Sequence, residues 1–449
     1  MARIFKPKAK AARRTSVEST PSQLTIEGFS HDGRGIARHE GKTVFVEGAL
    51  LNETVEIVHY RRQKRFSECQ TKRVIVASAE RVTPPCAIFD RCGGCQLQHL
   101  RADKQIGYKQ QALLQMLQRQ YQLQPLELLD PINSDSEGYR TRVRFGIDAQ
   151  AQLSFRQKAS DDLVPVTGCP VIAPNLQALL PDVQQWLDAL PERSGITHIE
   201  MIAASDTQGQ PLAALVVRHV KELSVELREK LQNRLAGTIC WFQAQKGGAL
   251  ANAAGEFVEQ KLSLMLADED IRLTFSPGDF TQVNAGVNQK MVAQAIDWLE
   301  LQSTDYVADL FCGMGNFTLP IAKRVTKTLG VEGSELMVER ATQNALANQL
   351  TDVTFKALDL NSAELGRLLA REKINKILID PPRSGAKFVC EQIADSDIKR
   401  LVYVSCNPAS LARDASILAA AGFELSALRS MDMFPHTSHM EAMALFVRG

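Results

Sequence analysis

In the stretch "LVYVSCNPASLARD", residues 401–414, Cys406 stands one residue beyond a run of strand formers and just ahead of Asn407 and Pro408. An isolated buried cysteine is usually a small apolar filler, so the company this one keeps has to decide its role. Near the C-terminus, "FPHTSHMEAM" puts Glu441 at the head of another strand. A thiol and a carboxyl group so placed suit methylation at carbon 5 of uracil, which is a poor nucleophile. A thiolate adding to carbon 6 turns carbon 5 into an enolate that can attack a methyl donor, and a base must then remove the carbon 5 proton before the thiolate can leave. Cys406 would supply the thiolate and Glu441 the base. His436 and His439 lack a third ligand close in sequence, so local hydrogen bonding is expected of them rather than metal binding.

Two further stretches supply a cofactor pocket. In "DLFCGMGNF", residues 309–317, a strand runs into Gly313 and Gly315, where the backbone can turn tightly and approach a ligand. Glu332 closes the next strand, where a carboxylate accepts from ribose hydroxyls. Thr318 stands where a dinucleotide fingerprint has its third glycine, so a nucleoside cofactor without a pyrophosphate, S-adenosylmethionine, fits better. In "ILIDPPRSG", residues 377–385, Asp380 ends a strand and the two prolines after it stiffen the turn. Methyltransferases acting on amino groups carry a similar loop that ends in an aromatic, whereas here the residue is Arg383. That difference argues against an exocyclic amine as acceptor.

The cysteines divide in a telling way. Cys86, Cys92 and Cys95 crowd together, Cys169 precedes Pro170 far downstream, and the other five of the nine are scattered. Three close cysteines and a distant fourth followed by proline suit iron–sulfur ligation, and a 4Fe-4S cluster is the favoured reading. Zinc stays open, since four thiolates suit it too.

These groups need elements to hold them. At 449 residues the chain is too long for one core, and it is expected to form several domains. Residues 1–15 read as a basic disordered tail, with six Lys or Arg among the first fourteen residues against a net charge of only +1 for the whole chain. Residues 16–77 show short apolar alternations separated by turn residues, which predicts a five-stranded, OB-like β-barrel with basic loops such as "RRQKR" (61–65). Residues 78–270 read as a central α+β domain carrying the cysteine quartet, where Arg140, Arg142 and Arg144 alternate along one strand face. Residues 271–449 alternate strand and helix, the pattern of a Rossmann-like α/β sheet whose ligands bind at the carboxyl edge of the strands. No apolar run is long enough for a membrane helix and the N-terminus lacks an apolar signal core, so a cytoplasmic protein without membrane contact is expected. No obligate protein partner is evident.

Taken together, "DLFCGMGNF", "DPPRSG", "VYVSCNP" and "FPHTSHMEAM" resemble the RNA uracil-C5 methyltransferase family in order and spacing. The quartet with a preceding barrel of the TRAM type resembles its branch acting on 23S ribosomal RNA. The resemblance implies Cys406 as nucleophile and Glu441 as base, with Gln282, Phe311, Gly313, Gly315, Asn316, Glu332, Asp359 and Asp380 around S-adenosylmethionine. It also implies Phe280 and Arg140 as substrate contacts, with the target base flipped out of folded RNA. Because no redox step occurs in this reaction, the cluster would be structural or RNA-binding. The alternatives are another RNA base methyltransferase, acting on a different uridine, on cytosine C5 or on an amine, and a non-catalytic RNA-binding assembly factor.

Overall fold

The computed structural model describes residues 21–190, 195–206, 208–244, 249–257 and 261–449, so the expected tail at 1–15 lies outside the described residues. Residues 21–30 and 34–79 form one compact unit, and 31–33 with 80–449 form another.

The first unit is a single sheet with the strands in the order Gln23–Thr25, Thr54–Arg62, Phe66–Val76, Lys42–Glu47, Gly35–His39, Gly28–Phe29. Its two edge strands are consecutive in sequence and separated only by Ile26 and Glu27. The Ile26 N–H donates to the Glu53 carbonyl on one side, and the Glu27 N–H donates to the Ile36 carbonyl on the other. One bent strand thus closes the sheet, and five strands make the barrel that the alternation predicts. Leu24, Ile26, Ala37, Val44, Val46, Val55, Ile57 and Cys69 fill it. Arg61 to Arg65 are all exposed at the end of the long hairpin.

The second unit holds two eight-stranded sheets. The first is mainly antiparallel, with Arg142–Ile147, Ile196–Ser205 and Pro211–His219 at its centre, and helices Leu180–Asp188 and Val225–Arg234 pack on it. The hairpin Leu262–Leu266 with Ile271–Phe275 joins this sheet at Ser205. The boundary expected after Asp270 therefore falls inside a hairpin. Two short strands flanking a sharp turn carry no mark of which sheet they will join.

The second sheet has the order Val353–Ala357, Lys327–Glu332, Tyr306–Leu310, Lys376–Ile379, Arg400–Ser405, Glu441–Val447, Glu424–Met431, Glu127–Leu128. The first five strands are parallel, and Glu441–Val447 is antiparallel to both of its neighbours. Sequence order reverses between Tyr306–Leu310 and Lys376–Ile379, and the crevice at such a switch point is where open α/β sheets bind ligands. Helix Ala102–Tyr121 and strand Glu127–Leu128 belong to this layer although the sequence places them in the central region. Ile106, Leu113 and Leu117 of the helix bury against Leu411, Ala415 and Leu428. Its apolar stripe shows that the helix must be covered, not by which sheet.

Candidate active site

Every parallel strand of the second sheet ends at one edge, and an antiparallel strand begins there. Cys406 follows Arg400–Ser405, whose last pair with the neighbouring strand is Ser405 with Ala442. One step further along that register sets Cys406 opposite Glu441, on the same face of adjacent strands.

Asn407 caps helix Pro408–Ala420, its side chain accepting from the Ala409 N–H at 3.1 Å, with Pro408 in the first turn. Cys406 thus stands just ahead of a helix N-terminus, where a thiolate is favoured. Burial outweighs this. It pushes the Cys406 thiol up to about 11, helped by the charges of Glu441 and Asp380 and opposed by Arg383.

Glu441 is buried, and its Oε1 has no hydrogen-bond partner among the described residues. Burial first, and then the charge of Asp380, holds its carboxyl well above the usual range, while Arg383 draws it down. Burial raises the Asp380 carboxyl as well. One thiol, two carboxyl groups and one guanidinium thus act on one another across three loops.

The loop that carries Asp380 and Arg383 is tied to the helix behind it. Fully buried Asp414 accepts from the Ala386 N–H at 2.7 Å and from the Tyr403 hydroxyl at 2.7 Å. Arg413 donates to the Ser384 carbonyl, and the Asn407 side chain donates to that of Arg383. Gly385, at φ +79°, fits where a Cβ would lie 2.5 Å from Arg413 Nη2 and 2.6 Å from Asp414 Oδ2. Asp414, set among Leu411, Ala412, Ala415 and Leu418 in a largely apolar helical run, is the sequence signal for this clamp.

The glycine loop sits beside it. Phe311 takes φ +64°, and its N–H donates to Val331. Glu332 accepts from the N–H of Gly313 at 3.2 Å, Gly333 at 2.7 Å and Ser334 at 3.1 Å, so its carboxylate is aimed across the Gly313 turn. Gly313 and Gly315 both take positive φ. Asn316 and Asn288 exchange two side-chain hydrogen bonds, joining the loop to helix Ala285–Leu299. Asp359 is exposed beyond the outermost parallel strand and accepts from the Asn361 N–H. Buried Asp309, beneath the loop, accepts from Thr318 at 2.5 Å and is pushed up to about 8 by burial.

Gln282 and Phe280 lie in the loop that leads into helix Ala285–Leu299. Gln282 is half-buried, and Phe280 is 72% exposed, although it is a large aromatic. Arg142 holds this loop by donating to the Asp279 carbonyl while paired with Glu200 at 2.6 Å, and Thr141 donates to the Val283 carbonyl. The alternating arginines therefore do not form one free face, because Arg142 is occupied inside the protein. Arg140 lines the cysteine cavity, with its Nε donating to the Arg142 carbonyl. Its charge also bears on His439, two residues before Glu441.

Cys86, Cys92, Cys95 and Cys169 line one cavity of about 1000 Å³. Burial pushes Cys95 up to about 12 and Cys169 up to about 11, and the other thiols of the set add to each rise. All four are free thiols, and among the described residues no three Cys, His, Asp or Glu stand grouped to hold a metal ion. The four sulfurs thus share one cavity without standing grouped as the ligands of a metal site.

A family model described as tRNA (Uracil-5-)-methyltransferase matches residues 101–448. The chain belongs to this family. The model of the TRAM domain matches residues 23–58, within the barrel. A Vibrio cholerae protein named 23S rRNA (uracil(1939)-C(5))-methyltransferase RlmD is 42% identical, covering 100% of both chains. A relative of the same name from Alcanivorax borkumensis is 39% identical over 97% of this chain and 98% of its own. The crystal structure of Pyrococcus abyssi tRNA (uracil-54, C5)-methyltransferase in complex with S-adenosyl-L-homocysteine superposes with a TM-score of 0.72 at 18% identity, covering 95% of this chain and 100% of that one. The fold is thus shared at 18% identity. No described helix is long and apolar enough to cross a membrane.

Proposed function

We propose that the protein methylates carbon 5 of a uridine in 23S ribosomal RNA, the one numbered 1939 in the names of its relatives, with S-adenosylmethionine as methyl donor. The observation that carries this reading is the register Ser405 with Ala442, which directs Cys406 toward Glu441 at the edge where Asp380 and Glu332 also lie.

S-adenosylmethionine supplies an electrophilic methyl group. Glu332 would take the ribose hydroxyls, and Gly313 and Gly315 would let the backbone approach. Phe311, Asn316, Asp359, Asp380 and Gln282 would enclose the rest. The Cys406 sulfur adds to carbon 6 of the flipped uracil, and carbon 5 takes the methyl group. Ionised Glu441 then removes the carbon 5 proton, and the electron pair this frees re-forms the carbon 5–carbon 6 double bond as the sulfur–carbon 6 bond breaks. The helix N-terminus and Arg383 favour the thiolate against the burial that opposes it. Phe280 would stack on RNA, consistent with its exposure, and Arg140 would contact the same strand.

Cys86, Cys92, Cys95 and Cys169 would hold a 4Fe-4S cluster of structural or RNA-binding role, supported by their shared cavity. The barrel with its exposed Arg61–Arg65 loop would bind backbone phosphates. The setting would be the cytoplasm.

The test uses a 23S RNA fragment in which 5-fluorouridine replaces uridine. Fluorine cannot leave as a proton, so a methylated adduct joined at Cys406 is expected on a denaturing gel and by mass spectrometry. Methyl transfer to this RNA without an adduct would overturn the mechanism.

A further inference from the structure

Glu441 opens its strand, and the connection from the preceding strand, residues 432–440, contains no glycine. Even so, His436 within it takes φ +66°. A left-handed conformation is unfavourable for a residue with a Cβ, and contacts from outside the loop hold this one.

The restraint comes from the region that follows the three close cysteines. Gln105, fully buried on helix Ala102–Tyr121, accepts from the His436 N–H at 2.7 Å. Its Nε2 lies 3.1 Å from His436 Nδ1 and donates to the Leu97 and Leu100 carbonyls at 3.1 and 2.9 Å. The His436 carbonyl in turn accepts from the N–H groups of Gln96 and Leu97, at 2.9 and 2.8 Å. Gln96 Oε1 accepts from the Ser438 N–H at 3.2 Å, while its Nε2 donates to the Gly93 carbonyl at 2.9 Å. Buried Lys109 donates to Asp432 at 3.0 Å and to the Phe434 carbonyl, and the Tyr139 hydroxyl donates to the Pro435 carbonyl.

This loop sets the register of the strand that follows. Met431 pairs with Glu441, and a slip of one residue would turn the carboxyl group to the other face of the sheet. We propose that Gln105 is a positioning residue for proton abstraction: through His436 it holds Glu441 opposite Cys406, and Gln96 links the same loop to the Cys92–Cys95 turn. The inference rests on the reading of Glu441 as the base.

Base placement matters after methyl transfer, not before it. The experiment therefore separates the two stages on ordinary uridine RNA, following single-turnover methyl transfer to RNA and the amount of methylated RNA joined covalently to protein. Gln105→Met and Gln96→Ala are compared with wild type and with Glu441→Gln. For Gln105→Met, methyl transfer is expected within about threefold of wild type while product release slows by about tenfold or more, so that adduct accumulates. Gln96→Ala, a milder change on a half-buried residue, should show the same pattern more weakly, and it carries the test should Gln105→Met fail to fold. Formation and release falling together, or release unchanged, in the variants that fold would overturn the proposal. If Glu441→Gln accumulates no adduct, the reading of the base fails; if it does while both glutamine variants release normally, only the positioning role fails.

Discussion

Gly385→Ala tests the clamp behind the reactive edge. At φ +79° an alanine costs about 1–2 kcal/mol from backbone strain alone. Its Cβ would also stand 2.5 Å from Arg413 Nη2, 2.6 Å from Asp414 Oδ2 and 2.7 Å from Ser410 Cβ. None of these is free to swing away, because Asp414 already holds Ala386 and Tyr403, and Arg413 holds Ser384. Displacing a packed group costs about 1–3 kcal/mol, so the sum is about 2–5 kcal/mol. Chemical denaturation of the full chain would read this as a lower midpoint for the transition of the second unit. Gly333→Ala is the control, since no atom lies within 4 Å of a Cβ there and its φ is not positive, and it should stay within about 0.5 kcal/mol of wild type. If Gly385→Ala matches that control, the loop is not held as the geometry requires.

Other outcomes follow from the buried charges. Asp309 is pushed up to about 8 by burial, so its unfolded form ionises near pH 4 while the folded form keeps its proton to about pH 8. The stability it contributes is full below the unfolded value and is lost as pH rises toward 8, so Asp309→Asn should gain on wild type across that window in denaturation series. Alkylation of Cys406 by iodoacetamide should quicken about tenfold per pH unit up to about 11, and Arg383→Ala should slow it at fixed pH by removing the cation that favours the thiolate. A rate flat between pH 7 and 9 would count against the burial argument. Lys109→Met leaves Asp432 buried without its 3.0 Å partner and should destabilise by about 3–5 kcal/mol, read as a lower melting temperature.

The reactive edge is legible in the sequence because each of its residues ends a strand or starts one. Cys406, Asp380, Glu332 and Glu441 can be placed at one edge from the strand-and-helix rhythm alone, given that such sheets bind at their carboxyl ends. What secures them is not legible. Gln105 meets His436 across 331 residues, and Arg142 reaches the Asp279 carbonyl across 137, so neither contact leaves any local pattern. Helix Ala102–Tyr121 declares an apolar stripe but not its sheet, and the alternation of Arg142 with its neighbours gives no sign that Glu200 stands beside it. The barrel is legible because its alternation is local, and its closure depends only on Ile26 and Glu27 between two short strands.

Strand Glu441–Val447 is the last to be synthesised among those of its sheet, yet it lies between Arg400–Ser405 and Glu424–Met431 rather than at a rim. Until it inserts, both neighbours present open apolar edges, the form in which a nascent chain is most prone to stick to others and most in need of a chaperone. The strand that seals this gap also delivers Glu441. An unfinished chain therefore holds Cys406 without the carboxyl group that faces it, and the two meet only as the last open edge of the sheet is sealed.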